Sequence, residues 1–468
     1  MIRKLFPLLA ITAVFLTGCT MIPKYTRPEA PVSREWPSGS AYKETSAMPN
    51  APLATDLRWR EFFTDEKLQE IIGMALENNR DLRVAALNVE RARALYRIQR
   101  AELLPTVDTT GNAIKQRVLT GNSNSTQSTV EQYSLNLGVS SWEIDFFGRI
   151  RSLEKQALEE FFATEHARRS AQILLISEVA NAYLTLAADR ENLQLAQSTL
   201  EAQQASYNLI QRRFEVGLAP KLDLRQVQQR VDTARVDVAR YTGLAAQDEN
   251  ALNLLVGAPV PPDLLPEGLS AVKSLPDISP GLPSEVLLHR PDILQAESLL
   301  KAANANIGAA RAAFFPRISL TTAIGTTSSD LSGLFKAGSD TWNYAANIAL
   351  PIFDPATWSA LKVSRTDREI AQNQYEKAIQ GAFRDVADAL AIKGTVGDQM
   401  EAQQSLVEAT AETYQLSYAR YEKGTDTYLS VLDAQRSLYS AQQGLISIRL
   451  ARLANQVQLY AVLGGGTE

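Results

Sequence analysis

The sequence predicts a mainly α fold with a membrane β-barrel portion, built from a duplicated module of long antiparallel coiled-coil helices plus a β-hairpin. Three observations predict it. Two stretches of 68 residues, Arg149–Val216 and Ala356–Lys423, carry apolar residues at a spacing of seven. Short alternating runs, such as Tyr133-Ser-Leu-Asn-Leu-Gly-Val-Ser, precede each of them. The two halves of the chain also repeat one another with an offset of 207 to 211 residues.

Composition excludes several classes at once. The 468 residues are 45% apolar and 21% charged, which is the ordinary range of a chain that buries a core. A net charge of -5 with no long basic run makes nucleic acid a poor partner. One cysteine (Cys19) and two histidines (His166, His289) allow neither a disulfide framework nor a Cys/His metal cluster, and no catalytic triad or cofactor motif is present. We expect no catalytic residues, no metal and no cofactor.

Residues 1–18 read as a signal peptide. Arg3 and Lys4 precede an apolar stretch, Leu5 to Leu16, which is too short to span a bilayer as a helix, and Leu16-Thr17-Gly18-Cys19 follows. That tetrapeptide resembles a bacterial lipobox. The resemblance implies that Cys19 becomes an acylated N-terminus, and Thr20 after it favours outer-membrane sorting. Residues 19–56 are proline-rich and read as a tether.

The modules are expected at 57–257 and 284–464. Tyr207-Asn-Leu-Ile-Gln-Arg-Arg-Phe-Glu-Val-Gly217 matches Tyr414-Gln-Leu-Ser-Tyr-Ala-Arg-Tyr-Glu-Lys-Gly424, and Asp81–Pro105 matches Asp292–Pro316. Between the modules, 258–283 is a connector; seven prolines in Gly257–Pro283 forbid a continuing helix. Each module opens with a helix (Asp81–Leu104, Asp292–Phe315) that a proline stops. Two alternating strands follow, with a polar linker at Thr120–Thr129 or Thr326–Thr341. Arg149–Val216, without Gly or Pro, carries Val179, Leu186, Leu193, Leu200, Tyr207 and Phe214 on one heptad position. Short turns at Gly217-Leu-Ala-Pro220 and Gly424-Thr-Asp426 lead to the returning helices. Gly217 and Gly424 are expected to cap the long helices in the left-handed conformation.

Strands apolar on one face and small or polar on the other fit a barrel wall with lipid outside and water inside. Four strands cannot close, and an open edge in hydrocarbon leaves backbone groups unpaired, so several chains must share one barrel.

Taken together, the lipobox, Trp142-Glu-Ile-Asp-Phe-Phe-Gly-Arg149, Arg213-Phe-Glu-Val-Gly-Leu218 and Tyr428-Leu-Ser-Val-Leu-Asp-Ala-Gln-Arg-Ser437 resemble the TolC-like outer-membrane efflux proteins, in particular their lipid-anchored OprM-type branch. The resemblance covers essentially the whole mature chain. It implies a homotrimer in outer-membrane lipid, with a twelve-stranded barrel on a twelve-helix periplasmic tunnel. Its partners would be a periplasmic adaptor and an inner-membrane RND-type pump, and the chain itself would be a passive duct for small molecules. It also implies site residues. Leu429, Asp433 and Arg436 match a periplasmic gate; Asp223 and Tyr421 match contacts of the closed end; Gly217, Leu218, Gly424 and Thr425 match adaptor-docking tips. Asp426 stands where some members have arginine, and Ser430 where some have a second aspartate. A duct for secreted polypeptides and a lipid-anchored periplasmic scaffold without a pore are the alternatives.

Overall fold

The computed structural model describes residues 20–43, 52–54, 57–120, 126–283 and 287–465. Cys19 lies outside them. The elements in order are α1 (Trp59–Phe62), α2 (Glu66–Asn78), α3 (Arg80–Ala101), β1 (Val107–Thr120), β2 (Thr126–Glu143), α4 (Arg149–Glu215), α5 (Lys221–Val256), α6 (Pro291–Ala312), β3 (Arg317–Ser328), β4 (Asp340–Ala349), α7 (Pro355–Glu422) and α8 (Tyr428–Val462). They fall into two compact units, and α3, α4, α6 and α7 contribute residues to both.

One unit comprises residues 1–29, 88–165 and 295–375 and holds the sheet. Its order is β1-β2-β3-β4, antiparallel throughout, so the hairpins of the two modules lie side by side. The register puts Leu135, Leu137, Ile324, Trp342, Tyr344 and Ile348 on one face. That face is open: Trp342 is 80% exposed and Tyr344 66%. Asn136, Gly325, Asn343 and Asn347 take the other face. The directly opposed Lys115 and Glu131 form an ion pair at the far end of the apolar face. A bulge between Val139 and Trp142 bends β2, and the Ser141 amide there donates to Thr321 Oγ1.

β1 and β2 extend further than the alternation predicts. β1 reaches Thr120, where the apolar signal fades after Ala113, and β2 begins at Thr126 inside the expected polar linker. The ladder hydrogen bonds are independent of side-chain polarity, so a strand that projects into water on both faces keeps its pairing while losing its pattern.

The second unit comprises 30–87, 166–294 and 376–468. Heptad packing holds in its interior, where Val179, Leu186, Val386 and Leu390 are buried. The most apolar window of α4 is 61% buried, as in the core helix of a water-facing protein. Two short helices absent from the periodicity reading, α1 and α2, close this core: the Phe62 ring stacks on Tyr460 at 4.0 Å between centroids, and the Tyr460 hydroxyl donates to Leu57 O at 2.7 Å. The α2 N-terminus is capped by Asp65, which accepts from the Lys67 and Leu68 amides. Trp36 of the tether stacks on Phe383 and donates its indole N–H to Gly281 O at 2.8 Å. The proline-rich segment is therefore held against this unit at Trp36, a result its composition did not predict.

Candidate functional site

The predicted gate and tip residues come together where α4 turns into α5 and α7 into α8, all within the second unit. The two turns share one geometry. Gly217 has φ 76° and Gly424 φ 73°. The Leu218 amide donates to Arg213 O at 2.7 Å and the Thr425 amide to Arg420 O at 3.0 Å, and both glycine amides reach back three residues. This is the six-to-one and five-to-two bonding of a Schellman cap, and an L side chain at either glycine would be strained.

Beyond the cap the turns differ. The first is apolar and open, with Leu218 78% exposed and Val216 and Leu222 also exposed. In the second, Asp426 accepts from the Thr427 amide at 2.7 Å and from Ser430 Oγ at 2.8 Å. The Ser430 hydroxyl, then the Thr427 amide, hold the Asp426 carboxyl below its ordinary range. Arg420 adds an ion pair at 3.4 Å. The two departures from the family pattern are thus each other's partners. A side-chain bond at the start of α8 stands at the two positions where the sequence departs from the family pattern, a coupling that spacing of four on the chain could have suggested.

The hairpins are joined below the turns by a cluster of Ile210, Val227, Tyr428, Val431 and Leu432. Tyr421 packs on it, its ring 4.9 Å from that of Tyr428, and its hydroxyl accepts from Arg213 Nη1 at 2.7 Å. This explains one difference between the repeats. Phe214 occupies the matching place in the first module and has no hydroxyl to offer, whereas the second module needs one to receive Arg213 across the hairpins. Asp223 lies in the first turn of α5, half-buried, and finds no side-chain partner among the described residues.

Leu429, Asp433 and Arg436 occupy the opposite side of α8 from its buried residues Tyr428, Val431, Leu432 and Ala434. Leu429 is 49% exposed and the Asp433 side chain 53%. Arg436 Nη2 lies 3.4 Å from Asp433 Oδ1, one helical turn on. The acidic position therefore carries its own counter-charge within the helix. Further up the α4–α5 hairpin, burial, then the charge of Asp189, pushes the Asp248 carboxyl up to about 6, and burial raises Asp189 too. Neither aspartate stood out in the sequence, because their closeness depends on the register of the two helices.

Among the described residues no group of three or more His, Cys, Asp or Glu could hold a metal ion. What the chain offers is a sheet with an exposed apolar face and long paired helices with two exposed turns. The same design is found in known proteins. The family described as "Outer membrane efflux protein" matches residues 71–258 and 282–465. Probable efflux pump outer membrane protein TtgC of Pseudomonas putida is 49% identical over 460 residues, covering 98% of this chain and 95% of its own. Cation efflux system protein CusC of Escherichia coli is 39% identical over 470 residues, covering 99% of each chain. In structure, the open state of the MtrE outer membrane channel of Neisseria gonorrhoeae matches with a TM-score of 0.86 at 38% identity, over 96% of this chain and 99% of its own. Sequence and fold agree over nearly the full length: the chain belongs to the outer membrane efflux protein family and has the fold of its efflux ducts.

Proposed function

We propose that three copies of this chain close a twelve-stranded barrel in the outer membrane and form a passive duct for small molecules. The barrel would continue into a periplasmic tunnel of helices. An inner-membrane RND-type pump supplies the energy, and a periplasmic adaptor bridges the two at the turns Gly217-Leu218 and Gly424-Thr425. The chain itself does no chemistry and needs no cofactor. The carrying observation is the exposed apolar face of a four-stranded sheet with two open edges, β1 and β4. Water would penalise that face and hydrocarbon would penalise those edges, so only a closed barrel of several copies satisfies both. Its apolar band runs from Val107 to the Lys115–Glu131 pair; those eight residue steps rise about 26 Å along the strand, or roughly 20 Å of height at the tilt of a barrel strand, close to the ~25 Å of a lipid-facing band. The repeat boundaries, 57–257 and 284–464, belong to the same proposal, as do the acyl anchor on Cys19 and its tether, 19–56. The relatives' names speak of toluene, antibiotics, solvents and cations, which favours small molecules over polypeptides here.

Two measurements test these assignments. A photo-crosslinker at Leu218 should capture a periplasmic protein that also spans to an inner-membrane pump, while one at the exposed Glu401, about 32 Å along α7 from its end at the turn, should capture far less. Equal capture at both positions would remove the turns as the docking surface. Cys19→Ser should abolish palmitate incorporation and leave the signal peptide uncleaved at that bond. Unchanged labelling would show that the lipobox reading is wrong. One acyl chain gives only marginal membrane binding, so a fraction of Cys19→Ser that reaches the outer membrane should remain there through the barrel.

A further inference from the structure

The tether's first described residues follow one face of α6 step by step. Glu297, Lys301, Asn304, Gly308 and Arg311 are spaced by four, three, four and three, which aligns them in a stripe. Arg311 Nη1 donates to Met21 O at 3.3 Å, and Asn304 Nδ2 to Pro23 O at 2.9 Å. Between them Ile22 sits on Gly308, where an added Cβ would come 2.6 Å from the Ile22 side chain. Lys301 Nζ lies 5.4 Å from the centre of the Tyr25 ring. At the end of the stripe Glu297, 3% exposed, accepts from Tyr25 Oη at 3.1 Å and takes both arms of Arg27, at 3.0 and 2.6 Å. Lys301 adds a further ion pair at 3.2 Å. Burial pushes the Glu297 carboxyl up, but Arg27 and Lys301 outweigh it and leave it below its ordinary range.

The match is one of length as well as chemistry. The six extended steps from Met21 to Arg27 reach about 20 Å, and the fourteen helical steps from Glu297 to Arg311 about 21 Å. A slip of one tether residue would put Ile22 over Arg311 or Asn304, and would pull Arg27 off a buried carboxylate. Such a carboxylate is costly to leave unpaired.

The Arg311 end of the stripe adjoins an exposed apolar belt. Leu104, Phe315, Ile352, Phe353 and Trp358 lie where helices meet strands, all in the same unit, and are exposed. Trp358 meets Phe314 edge-on at 4.9 Å. Large aromatic and aliphatic residues at the foot of a lipid-facing sheet suit the headgroup level of a bilayer.

We propose that this face of α6 is a seat that holds the N-terminal tether in register, with Glu297 as its positioning residue, so that the acyl anchor enters the membrane at the level of this belt. The proposal rests on the reading of Cys19 as acylated. Cys19 is one residue before Thr20, so the seat fixes the origin of its acyl chains to within a residue or two of Met21.

The test uses the full-length protein in phospholipid nanodiscs and trypsin. The Lys24–Tyr25 bond lies inside the seated segment, while Arg27 precedes a proline and is not cut. Wild type should resist cleavage after Lys24. Arg27→Gln, on the tether, and Glu297→Gln, in the seat, should each raise its rate about 10- to 100-fold, as expected when a charged clasp opens locally. Cleavage after Arg34, which the seat does not hold, should not change. The released fragment should carry acyl mass, and Trp358 fluorescence, isolated by difference from Trp358→Phe, should be quenched by lipids brominated high in the acyl chain. Equal Lys24 cleavage in wild type and both variants, on an acylated fragment, overturns the seat alone. A fragment without acyl mass overturns the reading of Cys19 and the anchor with it. An unquenched Trp358 overturns the common level.

Discussion

Tyr344→Arg is expected to abolish insertion of the protein into the outer membrane, whereas Asn343→Arg, one residue away, should leave insertion and trimer yield close to wild type. The two residues sit on opposite faces of β4, with Tyr344 beside Trp342 and Ile348 on the apolar side and Asn343 beside Asn347 on the other. An arginine in the middle of a barrel's lipid face costs about 2–4 kcal/mol, and a threefold assembly meets that cost three times, about 6–12 kcal/mol in all. The lumen side stays hydrated and tolerates the same charge. Wild type should run as a trimer in mild detergent, and Tyr344→Arg as monomer or aggregate, read by size-exclusion chromatography with light scattering. A wild-type monomer with an intact β-signal would defeat the shared barrel, because β1 and β4 would then keep free edges in contact with detergent. Equal effects of the two arginines would place both faces in one environment and remove the distinction between lipid and lumen.

The sequence carries the long-range plan of this fold more fully than its short-range joints. A seven-residue repeat over sixty-odd positions leaves little freedom, and α4 and α7 end within one residue of the periodicity reading. Strand ends were less legible, since polar residues on both faces of β2's first turn of ladder look like a loop until their partners are known. The docking of the tether was not legible at all. It depends on a stripe of α6 and on backbone carbonyls, and neither leaves a mark in hydropathy. At the turns, the capping glycines could be read directly, because only one backbone conformation ends a helix in that way. The Arg213–Tyr421 bond could not, because it joins residues 208 apart across two hairpins. The aligned repeats do hold a trace of it: a phenylalanine in one copy answered by a tyrosine in the other marks a place where a hydroxyl has a use.

The gate carries the second large effect. If three Asp433 carboxylates surround the duct's axis, Asp433→Ala should raise resting conductance and weaken block by divalent or trivalent cations, and Leu429→Ala should raise conductance while leaving the block largely intact. The two residues are one turn apart on the exposed side of α8, so one helix presents both an apolar collar and a charge. Repulsion within the ring is modest in water, about 0.4 kcal/mol for unit charges roughly 10 Å apart, and grows severalfold if the constriction excludes solvent. The ion pair of Arg436 with Asp433 adds an expectation that the sequence did not supply. Arg436→Ala should strengthen cation block, because it removes the counter-charge and leaves the carboxylates to the permeant ions. Single-channel recording of the three substitutions in planar bilayers, with Asp223→Ala as a probe of the closed end, separates the roles. Opposite shifts of cation block in Asp433→Ala and Arg436→Ala identify the ring. Wild-type conductance and block in Asp433→Ala return that residue to a solvated helix face, and a rise in conductance confined to Leu429→Ala leaves the collar alone to close the duct.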